Sequence, residues 1–332
     1  MKTILKLLFL SFLVIYFTGC KPEERSVSLE LINECDPIRF QDRSYYSPGF
    51  GTLNIDSNRA YVPCNQYIVG APLAKNLLVL QDIGASLLLI SNDKTEVLYR
   101  GKFGLHDLKV NDNIATFLEQ GALITYDLST RSYSKVKVFA DRCYQAGVYI
   151  CKQNGVYLYK TKQTIPAQYP RSVQVVGDKV YVADTFGHRA IVYDTTLGQI
   201  VKSYPGYYPV YVQVKNNKLL VVEEHANRVS KYDLNTDVKE KVFNCGFEPY
   251  SDINSTVAEI VELEKSGELT MINKRGICYG FLYSPGSAIE QDDGTYLISD
   301  TDNHRVIHID ANGVILTEVL NLNDPTRAFF IQ

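Results

Sequence analysis

Five prolines return along this chain at a nearly fixed interval, Pro170, Pro209, Pro249, Pro285 and Pro325, in steps of 39, 40, 36 and 40 residues. Each opens a short strand-like run, at 171–176, 210–214, 250–253, 286–289 and 326–331. A second apolar run follows and ends at or near an acidic residue, as at Asp184, Glu223 and Asp300. A repeat of about 40 residues that contains only strand signals implies a β-propeller, with one four-stranded sheet, or blade, per repeat.

In the clearest repeat, 172–176, 179–183, 190–194 and 200–204 read as strands a to d, with Gly177-Asp178 as the a–b turn. The same order overlays 104–140 and 66–99, where 77–81 and 86–90 supply b and c. A compressed repeat holds Cys143 and Cys151; after Pro249, 257–263, 268–272 and 278–283 serve as b, c and d. The second strands end near Asp82, Glu119, Cys151, Asp184, Glu223, Leu263 and Asp300, which makes seven complete repeats. A lone last strand at 327–331 would leave its backbone groups unpaired, so it is expected to complete a split blade whose outer strands come from 27–32 and 52–62. The expected fold is therefore all-β, a propeller of four-stranded blades over residues 29–332, with seven blades, or eight if the split blade stands by itself.

The N-terminus carries Lys2 and Lys6, an apolar run from Leu7 to Phe17, and then Thr18-Gly19-Cys20. That run is too short to span a bilayer and has the charged start and small-residue end of a secretory signal, expected over 1–19. Residues 17–20 resemble the bacterial lipobox, whose Cys is lipidated and becomes the mature N-terminus; Phe17 stands where that motif prefers Leu. The resemblance implies that Cys20 carries the lipid, and Lys21, which is not the Asp of inner-membrane retention, points to the outer membrane. Residues 20–28, with Pro and charges but no apolar cluster, read as a lipid-anchored polar tether.

Six further cysteines, Cys35, Cys64, Cys143, Cys151, Cys245 and Cys278, suit disulfides in an exported chain. Gly147 lies midway between Cys143 and Cys151, where a tight turn would set them opposite on adjacent strands. Cys35 with Cys64 and Cys245 with Cys278 follow by elimination, with free thiols as the alternative. No Cys/His spacing suggests zinc, and neither a metal nor a cofactor is expected. Losing Lys2 and Lys6 takes the formal charge from −3 to −5, with both signs interspersed, so nucleic acid is not an expected partner.

Three repeats share a turn between strands b and c: Asp184-Thr185-Phe186-Gly187-His188-Arg189, Glu223-Glu224-His225-Ala226-Asn227-Arg228 and Asp300-Thr301-Asp302-Asn303-His304-Arg305. These segments resemble NHL repeats, in which an Asp, a short polar turn and Asn or His precede an Arg and an apolar strand. The resemblance covers the blades between Pro170 and Pro325, except the one after Pro249, and fades over 28–168. It implies a ring used mainly as a binding platform, with a minority of enzymes on related rings. Asp184, Arg189, Glu223, Arg228, Asp300 and Arg305 are read as holding the ring together, the Arg fork clamping blade to blade. His188, Asn227 and His304 occupy equivalent places in different blades, too far from a common centre to share one ion. Only His106, at the start of an innermost strand, is well placed to approach the axis.

The d–a connections on the motif-bearing face carry aromatic residues: Tyr169, Tyr207, Tyr208, Phe247, Tyr250 and Tyr283, in a chain with 24 Tyr and no Trp. They either wedge beside Pro or form a rim that binds a peptide or glycan by stacking and hydroxyl hydrogen bonds. No Gly-x-Ser-x-Gly, Walker loop or zinc-protease His pair is present. The reading is a lipid-anchored cell-envelope propeller, a non-catalytic binding or scaffolding module for a protein, peptide or glycan. The alternative is a periplasmic enzyme, lyase-like or sulfotransferase-like, with an axial site near His106. Replacing Cys20 by Ser should move the protein from the detergent-extracted membrane fraction to the soluble fraction and abolish its labelling by a palmitate analogue; continued sedimentation with membranes would overturn the anchor.

Overall fold

The computed structural model describes residues 45–47, 51–53 and 67–331, less 83–84, 103, 146–148, 160, 227, 244–281, 283 and 321. Strands β1 (Tyr45–Ser47) and β2 (Gly51–Leu53) form a separate hairpin. Next come β3 (Tyr67–Gly70), β4 (Asn76–Gln81), β5 (Ser86–Ile90) and β6 (Thr95–Arg100). The second blade is β7 (Leu105–Asn111), β8 (Ile114–Glu119), β9 (Ala122–Asp127) and β10 (Ser132–Lys137). The third is β11 (Tyr144–Gln145), β12 (Tyr149–Lys152), β13 (Gly155–Leu158) and β14 (Thr164–Pro166). The fourth is β15 (Pro170–Val176), β16 (Lys179–Asp184), β17 (Arg189–Asp194) and β18 (Gln199–Pro205). The fifth is β19 (Pro209–Lys215), β20 (Lys218–Glu223), β21 (Arg228–Asp233) and β22 (Lys239–Phe243). The sixth holds β23 (Pro285–Glu290), β24 (Tyr296–Asp300), β25 (Arg305–Ile309) and β26 (Ile315–Leu320). The chain ends in β27 (Pro325–Ile331), which pairs antiparallel with β4 and becomes the innermost strand of the first blade.

Alternation along the second strand of each blade explains the ring. In β4, Leu78 and Leu80 pack with Leu105, Leu108 and Phe117 of the second blade, whereas Leu77 and Val79 pack with Leu297, Val306 and Val319 of the sixth. In β16, Val180 and Val182 face Tyr149, Val156 and Ile165, while Tyr181 and Ala183 face Val212, Leu219 and Val221. Leu118 and Ala140 meet Ile150 between the second and third blades, and Val210, Leu220 and Val222 meet Ala288, Ile298 and Ile307 between the fifth and sixth. Both faces of a blade are thus apolar, and each fully buried Leu or Val side chain contributes about 1.5–3 kcal/mol only while both neighbours are present.

Six blades close the ring among the described residues, not the seven or eight that the repeats suggested. The fifth and sixth blades touch directly: the Glu290 amide donates to Gln213 Oε1 at 2.8 Å, and Lys231 Nζ lies 2.7 Å from Glu290. With Val210 and Ala288 in one apolar cluster, no sheet fits between them. The strands expected at 257–263, 268–272 and 278–283 fall almost entirely outside the described residues.

Closure also differs in its partners. The C-terminal strand does complete a split blade, but with β4, β5 and β6, which fill the places expected for 27–32 and 52–62. Its register, Pro325 opposite Gln81, repeats Pro170 opposite Asp184 and Pro209 opposite Glu223, so β27 fits as an ordinary inner strand. The run at 67–70, expected within the first blade, is instead a fifth strand on the outer edge of the sixth, with Gly70 paired to Thr317.

The third blade is compressed as expected, with an inner strand of 2 residues. Cys143 and Cys151 are bonded, their Cα atoms 5.0 Å apart, and the Cys151 amide donates to the Cys143 carbonyl at 2.9 Å. Gly147 and the pairs Cys35/Cys64 and Cys245/Cys278 lie outside the described residues. Changing both Cys143 and Cys151 to Ala should cost about 2–3 kcal/mol by the loop-closure relation; urea unfolding monitored by far-UV circular dichroism would read this as a lower midpoint with an unchanged slope, and an unchanged midpoint would contradict it.

Candidate functional site

One face of the ring is built from the corners where each second strand ends and the next inner strand begins. Pro170, Pro209 and Pro285 stand opposite Asp184, Glu223 and Asp300 in the sheet register. Proline has no N–H to offer there, so the carboxylates take donors from the incoming connection. The Gln168 amide donates to Asp184 Oδ1, and the Tyr207 amide donates to Glu223 Oε2 at 2.9 Å. In the second blade Glu119 takes the Lys102 amide at 2.7 Å. The residue before each Pro turns into the left-handed region, with φ of 55° at Tyr169, 50° at Tyr208, 47° at Ser284 and 44° at Asp324. This bend recurs wherever Pro starts the inner strand, and it sets the direction of Tyr169 and Tyr208.

Where a blade-to-blade clamp was expected, the described acid–arginine bonds of the motif run within single blades. Arg189 Nε donates to Asp184 at 2.8 Å and Arg305 Nε to Asp300 at 2.7 Å. Arg228 holds Glu223 with two donors, one at 2.8 Å, and Ser230 Oγ adds a third bond at 2.6 Å. These bonds join strand b to strand c. The link to the next blade is a residue that the sequence reading passed over: Thr185 Oγ1 donates to the Pro209 carbonyl at 2.8 Å, and Thr301 Oγ1 to the Pro325 carbonyl at 2.9 Å. His188 and His304 sit at φ of 51° and 53°, a conformation that His, Asn and Asp tolerate better than most side chains. Their place in the motif is thus explained by the turn. Asn227, Tyr250, Tyr283 and Cys20 lie outside the described residues.

The aromatic residues form a continuous chain of contacts across the fourth and fifth blades. Tyr169 stacks on Phe186 with centroids 5.1 Å apart, Phe186 meets Tyr208 edge-on at 5.5 Å, and Tyr208 stacks on His225 at 3.8 Å. His188 joins from below, 4.9 Å from Tyr208 and 5.4 Å from Tyr207. Tyr207, expected on the rim, is fully buried and supports the others from beneath. Phe186 is the most open of the group at 45 % exposure, although the sequence reading did not include it; a Phe at the tip of a polar turn was the available signal.

Towards the axis the chain of contacts becomes cationic. Arg142 Nε donates to the Tyr169 hydroxyl at 2.9 Å, and its Nη1 lies 2.6 Å from His106 Nε2. The same Nη1 lies 3.3 Å from His106 Nδ1, and since arginine only donates, the imidazole is the acceptor of this contact. Burial, and then the charges of Arg142, Arg327 and Arg171, hold the His106 pKa well below its ordinary value, so the ring is neutral near pH 7. Arg171 pairs with Glu224, and Arg327 lies over the Tyr211 ring at 4.6 Å. Burial raises the Tyr211 pKa to about 12 even though Arg327 pulls it down. His106 lies on the innermost strand of the second blade, and the charges acting on it are arginines drawn from the first, third and fourth blades. Among the described residues no three His, Cys, Asp or Glu side chains converge as metal ligands.

No protein-family model and no curated protein matches the sequence. Solved structures do resemble the fold. A protein of unknown function from Bacteroides caccae aligns with a TM-score of 0.52 at 12 % identity, over 79 % of this chain and 100 % of the other. A chain of a nidogen/laminin complex aligns with a TM-score of 0.51 at 10 % identity, over 77 % and 97 %. Streptogramin B lyase aligns with a TM-score of 0.45 at 9 % identity, over 81 % and 88 %. At these identities the likeness shows the propeller architecture alone.

The buried Glu223–Arg228 pair makes the fifth-blade corner sensitive to charge. Burial pushes the Glu223 pKa up, but the Arg228 charge and hydrogen bonds, helped by Lys239 and Ser230, win and hold it below its ordinary value. A depressed carboxylate pKa contributes stability above the unfolded pKa of about 4.3, and that contribution disappears as pH falls through the folded value. Arg228→Met, which strands a buried carboxylate, should cost about 3–5 kcal/mol at pH 7. The deficit should shrink towards acid pH, where Glu223 can protonate; urea midpoints of wild type and variant at pH 7 and pH 4 would measure it, and a pH-independent gap would refute the assignment.

Proposed function

We propose that this chain is a lipid-anchored propeller of the bacterial cell envelope that binds a protein, peptide or glycan through its motif-bearing face, without catalysis. The observation that carries the reading is the contact chain Tyr169–Phe186–Tyr208–His225, presented beside Arg142 and Arg171. Rings with a polar edge next to guanidinium groups suit ligands that offer both a flat apolar face and hydrogen-bonding groups. The surface needs little reordering on binding, because buried Tyr207 and the left-handed turns at Tyr169 and Tyr208 set the ring positions in advance. The NHL-like turns and the lipobox-like Cys20 agree with such a platform, held at a membrane by the tether over 20–28.

The enzyme reading draws support from the polar axial cluster around His106. Against it stands the Arg142 donor on the His106 imidazole, which occupies the lone pair that a general base would use. The binding reading therefore takes precedence. On an array of envelope glycans and unstructured peptides, the mature protein should give reproducible ligands, and Phe186→Ala with Tyr208→Ala should weaken each by about tenfold, the scale of an aromatic anchor at an interface. Both side chains reach solvent, so the circular dichroism and unfolding midpoint should change little. Ligands retained at full strength by the double variant would sink the reading.

A further inference from the structure

We propose that the axial end of this face holds a subsite for one carboxylate group of the ligand, built from Arg142, Arg171 and Arg327 around His106 and Tyr211. The inference rests on the reading of the motif face as a binding surface and names the chemistry that its axial end would take.

Three blades deliver the cations to one place. Arg171 is the extra residue of the bulge after Pro170, and Arg327 follows the bulge after Pro325, both on innermost strands. Arg142 comes from the connection ahead of β11 and is held by the disulfide of the adjacent Cys143. His106 lies within electrostatic reach of all three. Like charges gathered this closely repel one another, so an arrangement that keeps them together without matching acids is costly unless an anion joins them.

Matching acids are too few. Glu224 pairs with Arg171, and Asp107 is engaged by Lys109 Nζ at 2.8 Å and by the Tyr144 amide at 2.7 Å. Arg142 hydrogen-bonds only neutral partners, His106 and the Tyr169 hydroxyl. Arg327, only 6 % exposed, bonds the carbonyls of Gly286, Thr326 and Val210 and no carboxylate. Its Nε, and that of Arg171, are buried without a hydrogen-bond acceptor among the described residues. Buried donors are rarely left unmade, and each such group is a donor awaiting an acceptor. Among the described residues the remaining acid is Asp82, which lies within electrostatic reach of Arg142 and Arg171 and whose pKa burial raises against their pull.

Charge and shape select the anion. With Arg171 matched by Glu224 and Lys109 by Asp107, Arg142 and Arg327 face Asp82 alone, so at least one positive charge is in surplus, which suits an anion. The planar Arg forks match the two in-plane oxygens of a carboxylate. The aromatic chain begins at Tyr169, to which Arg142 is bonded, so a ligand could place its carboxylate at the axis and its apolar body along Phe186 and Tyr208.

Calorimetric titration of the full mature protein with phenylacetate, phenylacetamide and inorganic sulfate tests this. Phenylacetate should bind about tenfold or more tightly than phenylacetamide, the scale of a hydrogen bond to a charged group. Arg142→Gln, at a partly exposed position, should erase that preference, as should Arg327→Gln if it folds. Asp82→Asn, which removes the competing acid, should tighten phenylacetate binding. Equal affinity for acid and amide, a preference that survives Arg142→Gln, no binding of either probe, or sulfate binding more tightly than phenylacetate would each overturn the carboxylate subsite. The two readings separate through Phe186→Ala. If it weakens acid and amide alike and no acid preference exists, the binding face stands and the subsite falls; if the acid preference persists and Phe186→Ala changes nothing, the subsite stands and the aromatic rim falls.

Discussion

Every second strand in this ring carries apolar side chains on both faces, and neither face can be buried without a neighbour. Leu77 and Val79 need the sixth blade as much as Leu78 and Leu80 need the second. A row of such sheets would leave a greasy surface at each end, and only a closed circle removes both. The cost of closing falls on β27, whose seven residues travel from the C-terminus to pair with β4 near the other end of the sequence, while β3 adds an outer edge to the sixth blade. The two crossings fasten the ends of the ring into different blades, so neither of those blades is made from one continuous stretch of chain.

The corners of the motif face follow from a local shortage of donors. Pro starts the inner strand and offers no N–H, so the carboxylate at the end of strand b is free to take the incoming connection and, on its other oxygen, the Arg that opens strand c. At Glu223 the Arg228 charge and the donors outweigh burial and hold the carboxyl below its ordinary pKa. Between blades the adjacent Thr reaches the next proline's carbonyl, so the same few residues organise the turn, the sheet and the ring. The aromatic and cationic side chains are displayed from this scaffold, and their positions inherit its rigidity.

How much of this could be read from the chain depends on the range of the interaction involved. The strands from Pro170 to Asp233, the recurrence of the motif acids and arginines and the Cys143–Cys151 bridge all join residues less than twenty apart, or repeat a local pattern, and were visible; that Asp184 pairs with Arg189 and Glu223 with Arg228 inside one blade was not. Blade number was not: the apolar runs after Pro249 look like a repeat, yet Gln213 and Glu290 meet across that interval. Tyr207 and Tyr208 are neighbours with identical side chains, one buried and one at the surface, because the left-handed turn falls at the second. No alternation rule applies within such a turn. Arg142, Arg171 and Arg327 look like scattered surface charges along the chain and become a cluster only when three blades converge.

The amino-acid sequence by itself determined an all-β repeat architecture, the proline starts, the recurring acid–arginine motif and one disulfide, since each is a matter of neighbouring residues and strand register. Tertiary structure decided the six-blade ring, the pairing of the two chain ends, the Arg142–His106 contact and the approach of Arg171 and Arg327 to within electrostatic reach of it. Those depend on which apolar face meets which across hundreds of residues, and one more or one fewer sheet changes the circle while leaving the pattern within each blade the same.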